Sequence, residues 1–142
     1  MAKDVKGDSK KTVGGGYVPT RAELDAIRKV ETGGCSDPLN AAGDGGLSNG
    51  PYQIKERYHA DALQFDPTLP PYESMKGPDS ISNGERVMQA YSNRYTTKAR
   101  LGHEPTFEDF ARNHNGGPNG YKKESTTGYF EKVKKCLPEK AD

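Results

Sequence analysis

Apolar residues in this chain come in short bursts, and several bursts keep helical spacing. In "TRAELDAIRKVE" (residues 20–31), Ala22, Ala26, Ile27 and Val30, with Leu24, share one face, which predicts an amphipathic helix. Thr20 and Glu23 make the T-x-x-E pattern, in which each side chain satisfies a free backbone N–H at the helix start, and "TGG" stops the helix. "SNGERVMQAYSNRYTTKA" predicts a long helix: Ser82 and Glu85 read as a second capping pair, and Val87, Tyr91 and Tyr95 recur at every fourth position as core residues. "TFEDFARNH" predicts a helix with Phe107, Phe110 and Ala111 inward, and "TGYFEKVKKCL" one with Phe130, Val133 and Leu137 inward. "IKERYHADALQ" reads as a short helix and "LSNGPYQI" as a short hairpin. "DPTLPPYESMKGPD" is a proline-rich connection, and "NGGPNG" a multiple turn. The sum is an α+β domain, mainly helical, with one small β-hairpin.

Composition adds size to this picture. At 142 residues the chain predicts one domain, and 31% hydrophobic against 29% charged content allows only a small core. The aromatic residues (Tyr 8, Phe 4) fall inside the periodic segments, which favours a folded, hydrophilic domain over a disordered chain. Residues 1–17 are polar, end in "GGGY", and read as a disordered arm or expression leader, leaving 18–142 as the domain. "MAKDVKGDSK" has no apolar signal region, and no apolar run could span a bilayer, so no membrane partner is expected. A formal net charge of +1 argues against nucleic acid as a partner. Two cysteines, Cys35 and Cys136, allow one bridge or two free thiols; sequence leaves both open.

Candidate chemistry centres on two acids. Glu31 falls on the last turn of the first helix, where the negative end of the helix dipole disfavours ionisation. Asp44 sits in "GDGG", open to water and backbone N–H groups, which favours its ionised form. Glycoside hydrolysis needs such a division: one carboxyl protonated to donate to the leaving oxygen, one ionised to meet the cationic sugar carbon. On spacing alone, a solvated helix end and a turn former are the favoured reading of these two residues. Other chemistries find no support. His59, His103 and His114 lack metal-type spacing, "SDPLNAAGDGG" lacks the acids of a calcium loop, and "GDGGLSNG" is followed by no Gly-Lys-Ser/Thr, so no metal or cofactor is expected.

The segments "IRKVETGGC", "GDGGLSNGPYQIKERY" and "ARNHNGGPNGYKKESTTGYFEKVKKC" together resemble the invertebrate-type lysozymes, the destabilase family, from Ile27 to Cys136. The resemblance implies a lysozyme-like fold with the hairpin beside an active-site cleft. It also implies a monomeric, secreted, antibacterial muramidase that cuts the β-1,4 bond between N-acetylmuramic acid and N-acetylglucosamine in peptidoglycan strands. Glu31 matches the family's catalytic glutamate in V-E-[ST]-G. Relatives read D-x-G-S-L-S-C-G, which without gaps sets Gly43 opposite their aspartate; Asp44, one place later, is the acid assigned here. Asn49 replaces a family cysteine. Lys55 matches the lysine of an isopeptidase activity credited to some relatives, but Gly46 stands where its serine would be and Ser48 lies beyond Leu47. Saccharide contacts are expected from Leu47, Ser48, Tyr52 and Gln53, and from His114, Asn115 and Gly116, with Gly117 offering bare backbone. His114 reads alternatively as a helix-capping residue, and Tyr52 as a core tyrosine. A weaker similarity to lytic transglycosylases leaves the reading of a transglycosylase using Glu31 alone, and the displaced aspartate and missing cysteines leave that of a peptidoglycan-binding protein without catalysis.

Overall fold

The computed structural model describes residues 15–138. Six α-helices are present among them: α1 (Arg21–Thr32), α2 (Glu56–Phe65), α3 (Ser80–Tyr95), α4 (Lys98–Leu101), α5 (Phe107–Gly116) and α6 (Thr127–Lys135). Between α1 and α2 lies a 3-stranded antiparallel sheet of β1 (Ala42–Gly43), β2 (Ser48–Asn49) and β3 (Ile54–Lys55), in that spatial order. The expected hairpin is β2–β3, with Ser48 opposite Lys55 and Asn49 opposite Ile54. Strand β1, antiparallel to β2, was not expected, because two residues of alanine and glycine carry no strand signal.

Helix α1 begins as its pattern predicts. Thr20 Oγ1 accepts from the Glu23 N–H, and Glu23 returns the bond to the Thr20 N–H. Leu24, Ala26 and Ile27 are buried. Helix α5 carries an equivalent reciprocal cap, Thr106 with Asp109, that the sequence reading passed over. Helix α3 departs from expectation. It starts at Ser80, so Ser82 lies inside its first turn, and its hydroxyl donates to the Asp79 carbonyl. Glu85 is drawn instead into a bidentate pair with Arg21 at 2.6 and 2.8 Å. A tertiary ion pair outcompetes a local cap here, because a guanidinium fork matches a carboxylate at two points.

The core joins α1, α3, α5 and α6 to the sheet through Ile27, Ile54, Val87, Phe110 and Val133, all buried. Helix α2 packs along α3, and α6 packs against both α1 and α5. Glycine at position 84 is explained by this packing: a Cβ there would press on the Tyr52 ring at 3.0 Å. At Gly50, with φ of 83°, a Cβ would run into the Met75 carbonyl, so the β2–β3 turn closes only on glycine. Of the expected arm, residues 1–14 lie outside the described residues. Gly16 pairs with Thr97, and the Tyr17 hydroxyl donates to Glu23. The thiols of Cys35 and Cys136 are both free, the first exposed and the second half-buried.

Candidate active site

A cleft of about 510 Å³ opens between the C-terminal end of α1, the sheet, and the end of α5. Helix α1 delivers Glu31 to it on the last turn, as its period dictates. The "GDGG" turn delivers Asp44. That turn is a run of left-handed residues: Asp44, Gly45 and Gly46 have φ of 51°, 68° and 96°. Glycine adopts this geometry freely and aspartate tolerates it better than most residues, which accounts for one acid set among glycines. Although one place later than the family's aspartate, Asp44 lines the cleft.

The two acids have opposite surroundings. The Glu31 side chain is 17% exposed, and Tyr129 Oη of α6 donates to its Oε2 at 2.8 Å. Burial pushes its carboxyl up to about 7; the Asp44 charge adds to this, while the Tyr129 hydrogen bond and the Lys55 charge oppose it. Asp44 is 61% exposed at its side chain, with Lys55 Nζ at 3.0 Å and the Ser48 hydroxyl donating at 2.8 Å, both at Oδ2. Hydrogen bonding from Lys55, then from Ser48, holds Asp44 below the usual carboxylate range. Ser48 and Lys55 reach the same oxygen because they are cross-strand partners.

His114 of α5 stands behind Glu31, with Nε2 at 3.6 Å from Oε2. The same nitrogen lies 2.9 Å from the Tyr52 carbonyl, which can only accept, so Nε2 carries the proton. Nδ1 then accepts from the Tyr58 hydroxyl of α2 at 3.0 Å. Burial lowers the imidazole to about 4, so it is neutral near pH 7 and adds no charge beside Glu31. Tyr58 stacks on Tyr91 with ring centroids 3.8 Å apart, closing the floor.

Of the residues expected to contact saccharide, Ser48, Gln53, His114, Asn115 and Gly116 line this cleft with the two acids. Two expected residues do not. The Tyr52 ring is buried in the core, its hydroxyl donating to Glu85 at 2.6 Å and accepting from Arg28 at 2.9 Å. Leu47 is 69% exposed and lies outside the cleft lining. The Tyr52 expectation rested on "GPYQI" lying beside the acid in sequence, while tyrosine suits both cores and sugar sites. Arg57, Asp61 and Lys123 line the cleft without having been anticipated. Tyr129 was also missed, since nothing in "TGYFEKV" marks it except its place one residue off the inward face.

A helical fold with a small antiparallel sheet, bordering a cleft that holds a half-buried glutamate and an ionised aspartate, defines the lysozyme-like class of protein. The destabilase family profile matches residues 21–136, and the chain belongs to that family. It is 38% identical over 126 residues to a lysozyme of Meretrix lusoria, covering 85% of this chain and 92% of that one. It is 37% identical over 106 residues to invertebrate-type lysozyme 6 of Caenorhabditis elegans, covering 71% and 72%. The crystal structure of Tapes japonica lysozyme superposes with a TM-score of 0.64 at 31% identity, over 84% of this chain and 94% of that one. Meretrix lusoria lysozyme in complex with Aeromonas hydrophila PliI superposes with a TM-score of 0.65 at 31% identity, over 84% and 93%.

Proposed function

We propose that this protein is a muramidase, hydrolysing the β-1,4 bond between N-acetylmuramic acid and N-acetylglucosamine in bacterial peptidoglycan. One observation carries the reading: two carboxyl groups share a cleft, one with proton affinity raised to about 7 and the other with proton affinity lowered. Glu31 holds a proton near neutrality and gives it to the glycosidic oxygen as the C–O bond breaks. Asp44, kept ionised by Lys55 and Ser48, stabilises the positive charge that develops on the sugar carbon. The Glu31 carboxylate then takes a proton from water as its oxygen adds to that carbon, restoring the acid. Ser48, Gln53, His114, Asn115 and Gly116 line the cleft in which the strand would bind, with His114 set behind Glu31. One chain supplies every group, which fits a monomer. The substrate belongs to bacteria, which fits action outside the cell. No helix among the described residues is long and apolar enough to cross a membrane.

Clearing of a bacterial cell-wall suspension tests the proposal. Glu31→Gln is expected to abolish clearing while the protein still sediments with the walls, and Asp44→Asn to slow it by about 100-fold or more. The products should carry an added water. Anhydro sugars with an active Asp44→Asn variant would mean a transglycosylase, and wall binding without clearing by the unaltered chain would mean a binding protein.

A further inference from the structure

The Tyr129 hydroxyl has a single partner among the described residues, Oε2 of Glu31, 98 positions away in sequence. The contact exists because α6 packs on α1, and the Tyr129 ring is set against the hydrophobic core. His114 Nε2 also approaches Oε2, but its proton is committed to the Tyr52 carbonyl. Oε1 of Glu31 has no hydrogen-bond partner among the described residues. The two oxygens of the acid are therefore unequal.

We propose that Tyr129 is a positioning residue that holds Oε2 of Glu31 as an acceptor and so fixes the transferable proton on Oε1, the oxygen left free for the substrate. This rests on the muramidase reading. A phenol that donated nowhere would leave its O–H unsatisfied in a part-buried site, so donation to Oε2 is the arrangement that satisfies both groups. When Glu31 gives up its proton, its negative charge grows, and the Tyr129 hydrogen bond strengthens because it then ends on an ion. The contact thus stabilises the transition state more than the bound substrate. Groups that bear on Glu31 from the neighbouring elements are Tyr129 of α6, His114 of α5, Tyr58 of α2, Asp44 of the turn and Lys55 of β3. Of these, Tyr129 alone donates a hydrogen bond to the acid.

The test is Tyr129→Phe, read in two ways. Titration of the Glu31 carboxyl carbon by NMR, without substrate, should show its midpoint rising by about one pH unit, since a donor to the carboxylate has gone. On cell walls, kcat should fall about tenfold with KM unchanged, and the alkaline limb of the pH profile should move up with the midpoint. Should Tyr129→Phe fold poorly, 3-fluorotyrosine at position 129 keeps the ring and makes a stronger donor, and the midpoint should then fall. A Glu31 midpoint unmoved by whichever of these variants folds overturns the proposal. The titration needs no turnover, so an inactive wild-type chain would sink the muramidase reading while the midpoint still decides the role of Tyr129.

Discussion

Keeping an acid protonated at neutral pH has a cost in fold stability, and Glu31→Gln measures it. In the unfolded chain the Glu31 carboxyl titrates near its ordinary 4.5, and in the folded chain near 7. Between those values the native state holds a proton that the unfolded state has released, so stability falls as pH rises through this window. The gap is about 2.5 pH units, and at 1.36 kcal/mol per unit the full penalty is about 3 kcal/mol once pH exceeds 7. Its cause is desolvation of a side chain only 17% exposed, so solvent screening removes little of it. Glutamine occupies the same volume, accepts the Tyr129 hydrogen bond through its amide oxygen, and never ionises. The expected result is equal stability of wild type and variant at pH 4, and a variant more stable by about 3 kcal/mol at pH 8. For a domain of this size that is on the order of 10 °C in thermal midpoint. Thermal unfolding of both proteins from pH 4 to pH 8 makes the measurement. A difference in midpoint that does not change with pH would show that Glu31 is not desolvated, and the acid assignment would lose its physical basis.

Lys55→Met removes a charge that favours both carboxylates, so the proton affinities of Asp44 and Glu31 should both rise and the activity profile should move bodily to higher pH; an acid limb that stays in place would separate Asp44 from catalysis. Tyr52→Phe deletes a buried hydroxyl bonded to Glu85 and Arg28, and should cost about 1–2 kcal/mol by urea unfolding while leaving saccharide affinity unchanged; weaker binding would place the ring at the sugar rather than in the core. Gly50→Ala forces a left-handed alanine against the Met75 carbonyl, and should destabilise the fold by roughly 2–3 kcal/mol in the same assay.

Much of this was legible in the chain itself. The period of Leu24, Ile27 and their neighbours, with the Thr20–Glu23 cap, determined that Glu31 ends a helix, because periodicity and capping act within a few residues. The glycines around Asp44 determined a turn, and the family motifs pointed to Glu31, with Asp44 one place later than the family's aspartate. Other features were decided only when distant segments met. Glu85 abandoned a local cap for Arg21, 64 positions away, and the Tyr52 ring turned into the core. The proton affinity of Glu31 follows from burial by α5 and α6 and from the Tyr129 hydroxyl, 98 positions away. Desolvation depends on what surrounds a group in space. The sequence could therefore place the acid at a helix end whose dipole disfavours its ionisation, and only the packed structure could supply the desolvation that raises its proton affinity to about 7.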